Sequence, residues 1–554
     1  MELGIKLSHN GIKIALLLFF KAGILSAQLY TIPGEIALPY PTLINLAIEW
    51  PIQGDDNQNG VVTVRFRKKG QLIWRAGMPL RRVPAGENKS SITLDRETPG
   101  FTGFTWSNKH SGSVFDLSPG TEYELLLKLD DPDGGSVEKM VVARTRTLPD
   151  YKKARLIDIK PGNYDTLHCK SGSRFRPLLY RCTKGKAVFR HIDMQNIQWS
   201  YVDGLEVRNK NKSGQAINLS GSENCAVSRC TINSVWGIVA YKPGSTNGYF
   251  SDNTVTGISA WSDQAMGAHG NNTGEGIEVT GPGNVICFNK VKNFRDCIST
   301  MEDEHAFNQV CTDIYNNDIY NAADDGVEAD FCFSNCRITR NRLTNCYVGL
   351  SSQPGLGGPT YFIRNVMYNI VHAAFKLKRF SIGDIVLHNT VIKIGAGLGG
   401  NSAMDHAYFR NNLAFGGLAG EIKWGGFGAG TPSAADIIDP GKNSSFDYDA
   451  VGVYEIPYSA RIGGLPFAEI EHHGIEQLSF DKTFNHVPFP YPPVPSRLPM
   501  DLRPRPGAAT EDMAEIIPNV NDTFSGKAPD CGAYESGQAL PVYGPRSGIN
   551  AQRK

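Results

Sequence analysis

The sequence lacks an excess of charge of either sign. Its 554 residues include 56 Lys and Arg against 55 Asp and Glu, a formal net charge of +1. Proteins that bind nucleic acids through the phosphate backbone need an excess of cations to displace counterions. The balance therefore argues against a general nucleic-acid binder. Charged residues make up only 20% of the chain, which also argues against a helix-rich protein.

Long apolar runs are absent as well. Outside the first 27 residues, nothing approaches the roughly 18 consecutive apolar residues of a membrane span. The first 27 residues contain Lys6 and Lys13, an apolar stretch over 14–20 interrupted afterwards by Lys21, and then small residues. This is the order of a secretory signal. We expect a signal peptide over 1–27 and a secreted or periplasmic mature chain without a membrane span.

The sequence has no paired Cys-x-x-Cys motifs with zinc-finger spacing, although Cys332 and Cys336 lie four residues apart. It has 11 cysteines, an odd number, and ten of them fall between Cys169 and Cys346. Disulfides and metal ligation are two interpretations. Small apolar side chains stacked inside a repetitive core are the favoured one.

The chain is rich in turn formers, with 59 Gly and 32 Pro, and 41% of its residues are hydrophobic. Short alternating strands over 62–67 and 123–129 predict a β-sandwich at 28–149, with Trp50 and Trp74 available for its core. The stretch 117–123 (LSPGTEY) resembles the tyrosine corner of fibronectin type III domains. That resemblance implies a spacer or a brace, with carbohydrate binding as an alternative.

After residue 150 a repeat begins. The stretch 155–164 resembles the first coil of a right-handed parallel β-helix, and seven asparagines recur, the last four intervals being 24, 24, 24 and 23 residues: Asn253, Asn289, Asn317, Asn341, Asn365, Asn389 and Asn412. This period fits one coil, with an asparagine at the same turn of each. We predict an all-β protein with a β-helix over 150–420, followed by loop-rich coils, a cap and a tail over 421–554.

A second register has the same period and marks a short strand in each coil: Gly204, Gly237, Gly276, Cys297, Gly326, Gly349 and Ala374. Aligning the coils on it places Glu275, Asp296 and Asp325 in one column, since stacked coils lie about 4.8 Å apart. Neighbouring carboxylates repel unless a cation neutralises them. Calcium with oxygen ligands does this well.

A second column contains the side chains that we expect to point outward from successive coils. It runs from Glu278 through Ser299, Glu328 and Ser351 to Lys376. Lys376 lies two rungs beyond Glu328, about 10 Å away. We expect this gap to accommodate a sugar between a metal and an amine. Taken alone, each column has a simpler interpretation, in which its acidic or basic residues are solvent-exposed and have no role in function.

Two motifs carry a family resemblance. Residues 324–328 (DDGVE) resemble the Asp-Asp-Gly-x-Asp element of family 9 pectate lyases, and 375–377 (FKL) resemble that family's Phe-Lys-Leu strand. The resemblance implies calcium-dependent β-elimination, with Lys376 as the base. It implies calcium ligands at Asp296, Asp324, Asp325 and Glu328, although Glu328 stands where the family has aspartate.

We therefore predict a secreted, monomeric polysaccharide lyase acting on an acidic, uronic-acid polymer such as pectate. Lys378, Arg379 and Glu278 are the expected substrate-binding residues. The main alternative is an inverting glycoside hydrolase that acts on an acidic or sulfated polysaccharide with Glu278, Asp325 and Glu328, because that mechanism needs carboxyl groups roughly 6.5–9.5 Å apart.

Other candidates remain open. Four further candidates for hydrolysis follow the third acidic coil: Glu302, Asp303, Glu304 and His305. His269 and Tyr241 are possible bases of a metal-free lyase or a dehydratase. A non-enzymatic β-helix that only binds its ligand is the third class, although clustered carboxylates facing a lysine argue against it.

Overall fold

The computed structural model describes residues 28–87, 105–300, 308–400, 402–419, 423–424, 427–493 and 496–547. The predicted signal peptide lies outside these residues. These residues are almost entirely β-structure, and the helices among them are short: α1 (Phe467–Ile470), α2 (Phe480–Thr483) and a 3-10 turn (Asp263–Ala265). Among the described helices, none has the length and apolarity to cross a membrane.

The N-terminal unit is a seven-stranded antiparallel sheet folded as a sandwich. In spatial order its strands are β1 (Thr31–Pro33), β2 (Leu46–Gly54), β7 (Lys109–Val114), β4 (Arg75–Val83), β3 (Val61–Lys68), β8 (Glu122–Asp130) and β9 (Val137–Arg144). A small hairpin, β5 (Gly86–Glu87) with β6 (Thr105–Trp106), extends from it.

Alternating side chains of these strands fill the sandwich core, as the sequence predicts. Trp50 is fully buried there. Trp74 is not in the core but half-buried at the surface, where the guanidinium of Arg67 stacks on its ring. The hydroxyl of Tyr123 accepts a 2.8 Å hydrogen bond from the Ser118 amide, which ties down the predicted corner. Assignment to the fibronectin type III family stays a prediction.

The second unit is a parallel β-helix, which confirms the predicted fold class. Twelve strands stack in one sheet, face A: β10 (Arg155–Asp158), β12 (Leu178–Arg181), β14 (Ser200–Asp203), β17 (Ala226–Ser228), β20 (Tyr249–Ser251), β23 (Val285–Cys287), β26 (Asp313–Tyr315), β28 (Cys336–Thr339), β30 (Thr360–Ile363), β33 (Asp384–Leu387), β37 (Tyr408–Arg410) and β42 (Ser445–Asp447).

The other two faces are joined by bent strands. Face B contains β11 (Gly162–His168), β13 (Ala187–Asp193), β15 (Glu206–Asn209), β18 (Thr231–Ser234), β21 (Thr254–Thr256), β24 (Lys290–Phe294), β34 (Thr390–Lys393), β38 (Leu413–Gly417), β43 (Ala450–Tyr454) and β46 (Ile475–Ser479). Face C contains β16 (Gln215–Asn218), β19 (Trp236–Ala240), β22 (Glu275–Val279) and β25 (Asp296–Ser299). Three long strands belong to both faces: β27 (Asp318–Glu328), β29 (Arg342–Ser352) and β31 (Val366–Leu377).

Smaller pairings complete the coils. They are β32 (Ser381–Ile382) with β36 (Met404–Asp405), the row of β35 (Ala396–Gly400), β41 (Ser433–Ile437), β44 (Ala460–Ile462) and β45 (Leu465–Pro466), and the hairpin of β39 (Lys423–Trp424) and β40 (Phe427–Gly428). Parallel pairing continues past residue 420, because β43 pairs with β46. All eleven cysteines are free, and all but the half-buried Cys182 are buried, as small core residues would be.

The asparagine ladder is present with every predicted member. At each step, one asparagine donates its backbone N–H and its side-chain N–H to the amide oxygen of the next; between Asn341 and Asn365 both distances are 3.0 Å. The last donor, Asn412, gives both bonds to Asp449, whose own amide donates to Glu471. The ladder thus satisfies buried backbone groups where face A turns into face B.

A second ladder, which the sequence analysis missed, forms the corner between faces B and C. Asn321, Asn345 and Asn369 donate side-chain N–H groups to the amide oxygens of Asn293, Asn321 and Asn345 at 3.1, 2.9 and 2.7 Å. All four adopt positive φ, a conformation in which asparagine is enriched. Their 24–28-residue spacing was the available signal.

The sandwich packs directly against the β-helix. The Glu49 carboxylate accepts hydrogen bonds from Ser334 and Asn335 of the helix, both 2.7 Å, and Arg337 donates to Ser113. This contact agrees with a bracing role. At the other end of the chain, residues 496–547 form a strap along the outside of the coils. Its Gly532 amide donates to Asn411 O, and its Gly544 amide donates to Asn316 O.

Candidate active site

The predicted outward column exists on face C. Glu278 pairs with Ser299, Ser299 with Glu328, Glu328 with Ser351, and Ser351 with Lys376. The inward residues beside them are buried, as predicted. One member of the glycine register was wrong: Ile238 pairs with Ile217 of β16, so Gly204 belongs to the turn before face B. The predicted alignment was wrong in this coil because two separate strands, β15 and β16, stand where later coils have one bent strand.

A β-bulge puts two consecutive aspartates into the site. Between Ala322 and Asp325, β27 has one residue more than β29 has between Cys346 and Val348. Bulges of this kind redirect a side chain at the edge of a site. Asp324 lies within this bulge, and its amide donates to Arg295 O at 2.8 Å. The Asp325 amide donates to the carboxylate of Asp296 at 2.7 Å.

The predicted gap between Glu328 and the amine of Lys376 is not present. The backbone of Lys376 lies two coils beyond Glu328, but its Nζ is 2.5 Å from Asp325 Oδ2 and 4.0 Å from Glu328 Oε1. The side chain reaches back because Ser351, which lies between them, is small. The expectation of a sugar-sized space between the acidic residues and the amine is therefore wrong for this arrangement.

The surroundings of Lys376 also favour its charged form. Burial acts to lower the pKa of the amine, but Asp325, Asp330, Glu328 and Asp324 together outweigh it and raise the pKa well above the usual range. The amine keeps its charge because it lies among carboxylates, which stabilise the ammonium form.

Asp330 is a site residue that the sequence analysis missed. One of its carboxylate oxygens is 3.9 Å from Lys376 Nζ, and the other accepts a hydrogen bond from the Ser351 hydroxyl. It follows Glu328 by two residues, so strand alternation was the available signal. Arg295 was also missed; its Nε lies 3.4 Å from Asp296 Oδ2 and 3.8 Å from Asp324 Oδ2.

Six buried carboxyl groups thus converge on face C: Glu275, Asp296, Asp324, Asp325, Glu328 and Asp330. Burial, then repulsion from Asp325, raises the pKa of Asp324 to about 7. Burial, then repulsion from Asp330, raises the pKa of Glu328 to about 7. Burial, with a smaller contribution from repulsion by Asp325, raises the pKa of Asp330 to about 6 against the opposing effect of Lys376. The protein's own cations are too few to balance the cluster.

The acidic residues fit a hard cation. Asp296, Asp324 and Asp325 offer oxygens that all lie within 4.8 Å of one another, a span that Ca–O bonds of 2.3–2.6 Å can bridge. Asp325 Oδ1 is buried without a hydrogen-bond partner among the described residues. Glu328, the fourth predicted ligand, groups instead with Asp296 and Glu275. The structure therefore brings together three of the four predicted ligands.

The three predicted substrate-binding residues flank the cluster. Lys378 and Arg379 follow Lys376 and are half-buried, and burial followed by repulsion from Lys376 lowers the pKa of Lys378. Arg379 acts electrostatically on Asp330. Glu278 is half-buried near Glu275, whose pKa it helps to raise.

Two aromatic rings stack beside the bulge. The ring centroids of Tyr347 and His372 are 5.2 Å apart, and His372 Nδ1 lies 2.7 Å from Gly428 O of the β39–β40 hairpin. The Gly267 amide donates to Ala323 O, which joins the loop between β21 and β22 to the strand that carries the bulge. Both extensions of the coils therefore contact the strands that carry or adjoin the bulge.

Of the remaining candidates, two fall in the described part of the chain. His269 is exposed on the loop between β21 and β22, and Tyr241 follows β19, two residues past the partner of Glu278. The four candidates at 302–305 fall outside the described residues.

Comparison with known proteins identifies no family. No family model matches the chain, and no curated protein matches it. Among solved structures it is similar to the family 28 exopolygalacturonase of Yersinia enterocolitica, with 9% identity, a TM-score of 0.25, and coverage of 77% of this chain and 97% of that chain. At that TM-score, the likeness carries no weight for function.

Proposed function

We propose that the protein is a polysaccharide lyase that cleaves a uronic-acid polymer by calcium-assisted β-elimination. The observation that carries the proposal is the buried carboxylate cluster of Asp296, Asp324 and Asp325 with the amine of Lys376 at its edge. β-Elimination needs both parts, a cation at the uronate and a base at C5. The motif resemblance to family 9 pectate lyases supports the same pairing.

Calcium bound by Asp296, Asp324 and Asp325 would neutralise the uronate carboxylate and make the C5 proton more acidic. The residues of the chain carry out the rest. The neutral amine of Lys376 takes the C5 proton, the C–H electrons form the C4–C5 double bond, and the C4–O bond breaks. The departing oxygen takes a proton from water.

This role requires Lys376 to leave its ion pair with Asp325. An amine held 2.5 Å from a carboxylate stays protonated, because the carboxylate stabilises the ammonium form. Positive charge on Asp325 from another source removes that stabilisation. Lys378 and Arg379, next along the chain, then hold the carboxylates of neighbouring sugars.

A glycoside hydrolase is the second candidate, and one observation favours it. Glu328 has a pKa of about 7, which is suited to a general acid. Glu278 lies two coils away in the same column, about 10 Å along the stack, which is near the spacing of inverting enzymes. In that reaction Lys376 would bind substrate.

The two reactions give different products. Purified protein is incubated with polygalacturonate, alginate and ulvan, with calcium and with a chelator. Elimination forms a conjugated double bond that absorbs ultraviolet light, whereas hydrolysis gives reducing ends without that absorbance. A calcium-dependent rise in absorbance, lost in Lys376→Ala, supports the lyase. Reducing ends without absorbance support the hydrolase, and neither product on any polymer contradicts both.

A further inference from the structure

The acidic cluster contains a second group of possible metal ligands, on the next coils toward the N-terminus. Glu275, Asp296 and Glu328 lie on β22, β25 and β27 and offer oxygens that are all within 4.8 Å of one another. We propose that these three residues form a second cation position, which shares Asp296 with the position at Asp324 and Asp325. The proposal rests on the cation site of the proposed function, but not on the reaction.

Glu275 provides the independent support. Its side chain is only 8% exposed, and its Oε2 has no hydrogen-bond partner among the described residues. A buried polar atom without a partner costs about 1–3 kcal/mol, and more when it is charged. The sequence places this carboxylate in register with Asp296, where a bound cation would satisfy it.

The protein's own cations are engaged elsewhere. Arg295 lies between Asp296 and Asp324, at 3.4 and 3.8 Å, and Lys376 contacts Asp325. In the described part of the chain, no lysine or arginine nitrogen is recorded within 4.0 Å of Glu275. Glu275 is therefore the carboxylate of the cluster that most needs an external positive charge.

The donor set indicates the kind of ion. All donors are carboxylate oxygens, without histidine or cysteine, and such sets suit hard divalent cations and not zinc. Three separate coils supply them, so the geometry is set by coil spacing. Calcium tolerates irregular coordination better than magnesium, which demands a near-ideal octahedron. Asp296 has two oxygens and can bridge both ions.

Counting bound calcium tests the proposal without an activity assay. Metal-free protein is titrated with calcium by isothermal calorimetry, and calcium per chain is measured after gel filtration. The expected values are two ions for the wild type, one for Glu275→Gln, one for Asp324→Asn and none for Asp296→Asn. Glu223→Gln, an exposed change of the same type, is the matched control and keeps two. Circular dichroism verifies that each variant is folded.

A wild type that binds fewer than two ions, or a Glu275→Gln variant that still binds two, overturns the second position. In particular, one ion in both proteins means that Glu275 holds a proton instead. Two ions without any unsaturated product leave the second position standing and contradict the lyase. Unsaturated product from a protein that binds a single ion supports the lyase and contradicts the second position.

Discussion

The ammonium nitrogen of Lys376 lies 2.5 Å from a carboxylate oxygen of Asp325, although two coils separate their strands. Ser351, the residue between Glu328 and Lys376 in the column, leaves room for the long side chain to reach back. The pair links the last basic position of face C to the acidic cluster. Its stability and its reactivity should therefore change together when cations bind.

Replacing Lys376 with methionine should destabilise the metal-free protein. The change keeps most of the side-chain volume but leaves Asp325 buried without its counter-charge, and breaking such a pair costs about 3 kcal/mol. Calcium should restore part of the loss. Thermal unfolding with and without calcium measures both effects. Lys378→Met is the control, because burial already disfavours its charge, and equal midpoints for the two variants would contradict the prediction.

The asparagine ladder should be sensitive to a single interruption. Asn341→Ala removes the acceptor of the Asn317 amide and side chain, both within 3.0 Å, and leaves these buried donors unsatisfied. We expect a loss of at least about 2 kcal/mol, from 1–3 kcal/mol per unsatisfied group. Hydrogen exchange at the Asn317 amide should accelerate. Asn211→Ala, at an exposed loop position, should leave both stability and exchange unchanged.

The end of the ladder should make stability depend on pH. Burial, then repulsion from Asp449, raises the pKa of Glu471 to about 10, so the folded protein keeps a proton that the unfolded chain loses near pH 4.5. The contribution of Glu471 to stability is therefore fully present below about pH 4.5 and falls as pH rises above that value, by up to about 1.4 kcal/mol per pH unit.

Glu471→Gln should flatten this dependence, because glutamine carries its N–H at every pH. Unfolding midpoints between pH 5 and pH 8 would show the variant gaining stability relative to the wild type as pH rises. The exposed Glu469→Gln should follow the wild-type curve. A parallel decline in all three proteins would mean that another group titrates.

The docking of the sandwich should depend on Glu49. Its Oε1 accepts hydrogen bonds from Ser111 within the sandwich and from Ser334 and Asn335 of the β-helix. Glu49→Ala removes the acceptor that these donors share and the ion-pair partner of Lys109, so we expect faster proteolysis of the connection around residue 150. Glu124→Ala, on β8, breaks an ion pair with Arg67 that lies within the sandwich and should not change the cleavage rate. If both variants resist cleavage like the wild type, other contacts hold the units together.

Periodicity was enough to predict the coils and the columns on face C. Each asparagine marks one turn, and alternation along a strand then separates inward from outward side chains. It could not predict how far a side chain reaches, so Lys376 was placed about 10 Å from Glu328, whose carboxylate lies 4.0 Å from its Nζ. It also could not show that the bulge at Asp324 divides the expected four ligands into two groups, since a bulge changes register without changing the repeat.

The C-terminal strap has a consequence for biosynthesis. The coils can stack in the order in which the ribosome delivers them, because each one needs only its predecessor. The strap runs the opposite way, from Gly532 against Asn411 to Gly544 against Asn316 and on to Arg546, whose guanidinium binds Asp252. These contacts can form only after nearly the whole chain has emerged, so the coils that the strap covers stay open to chaperones and proteases until translation has almost finished.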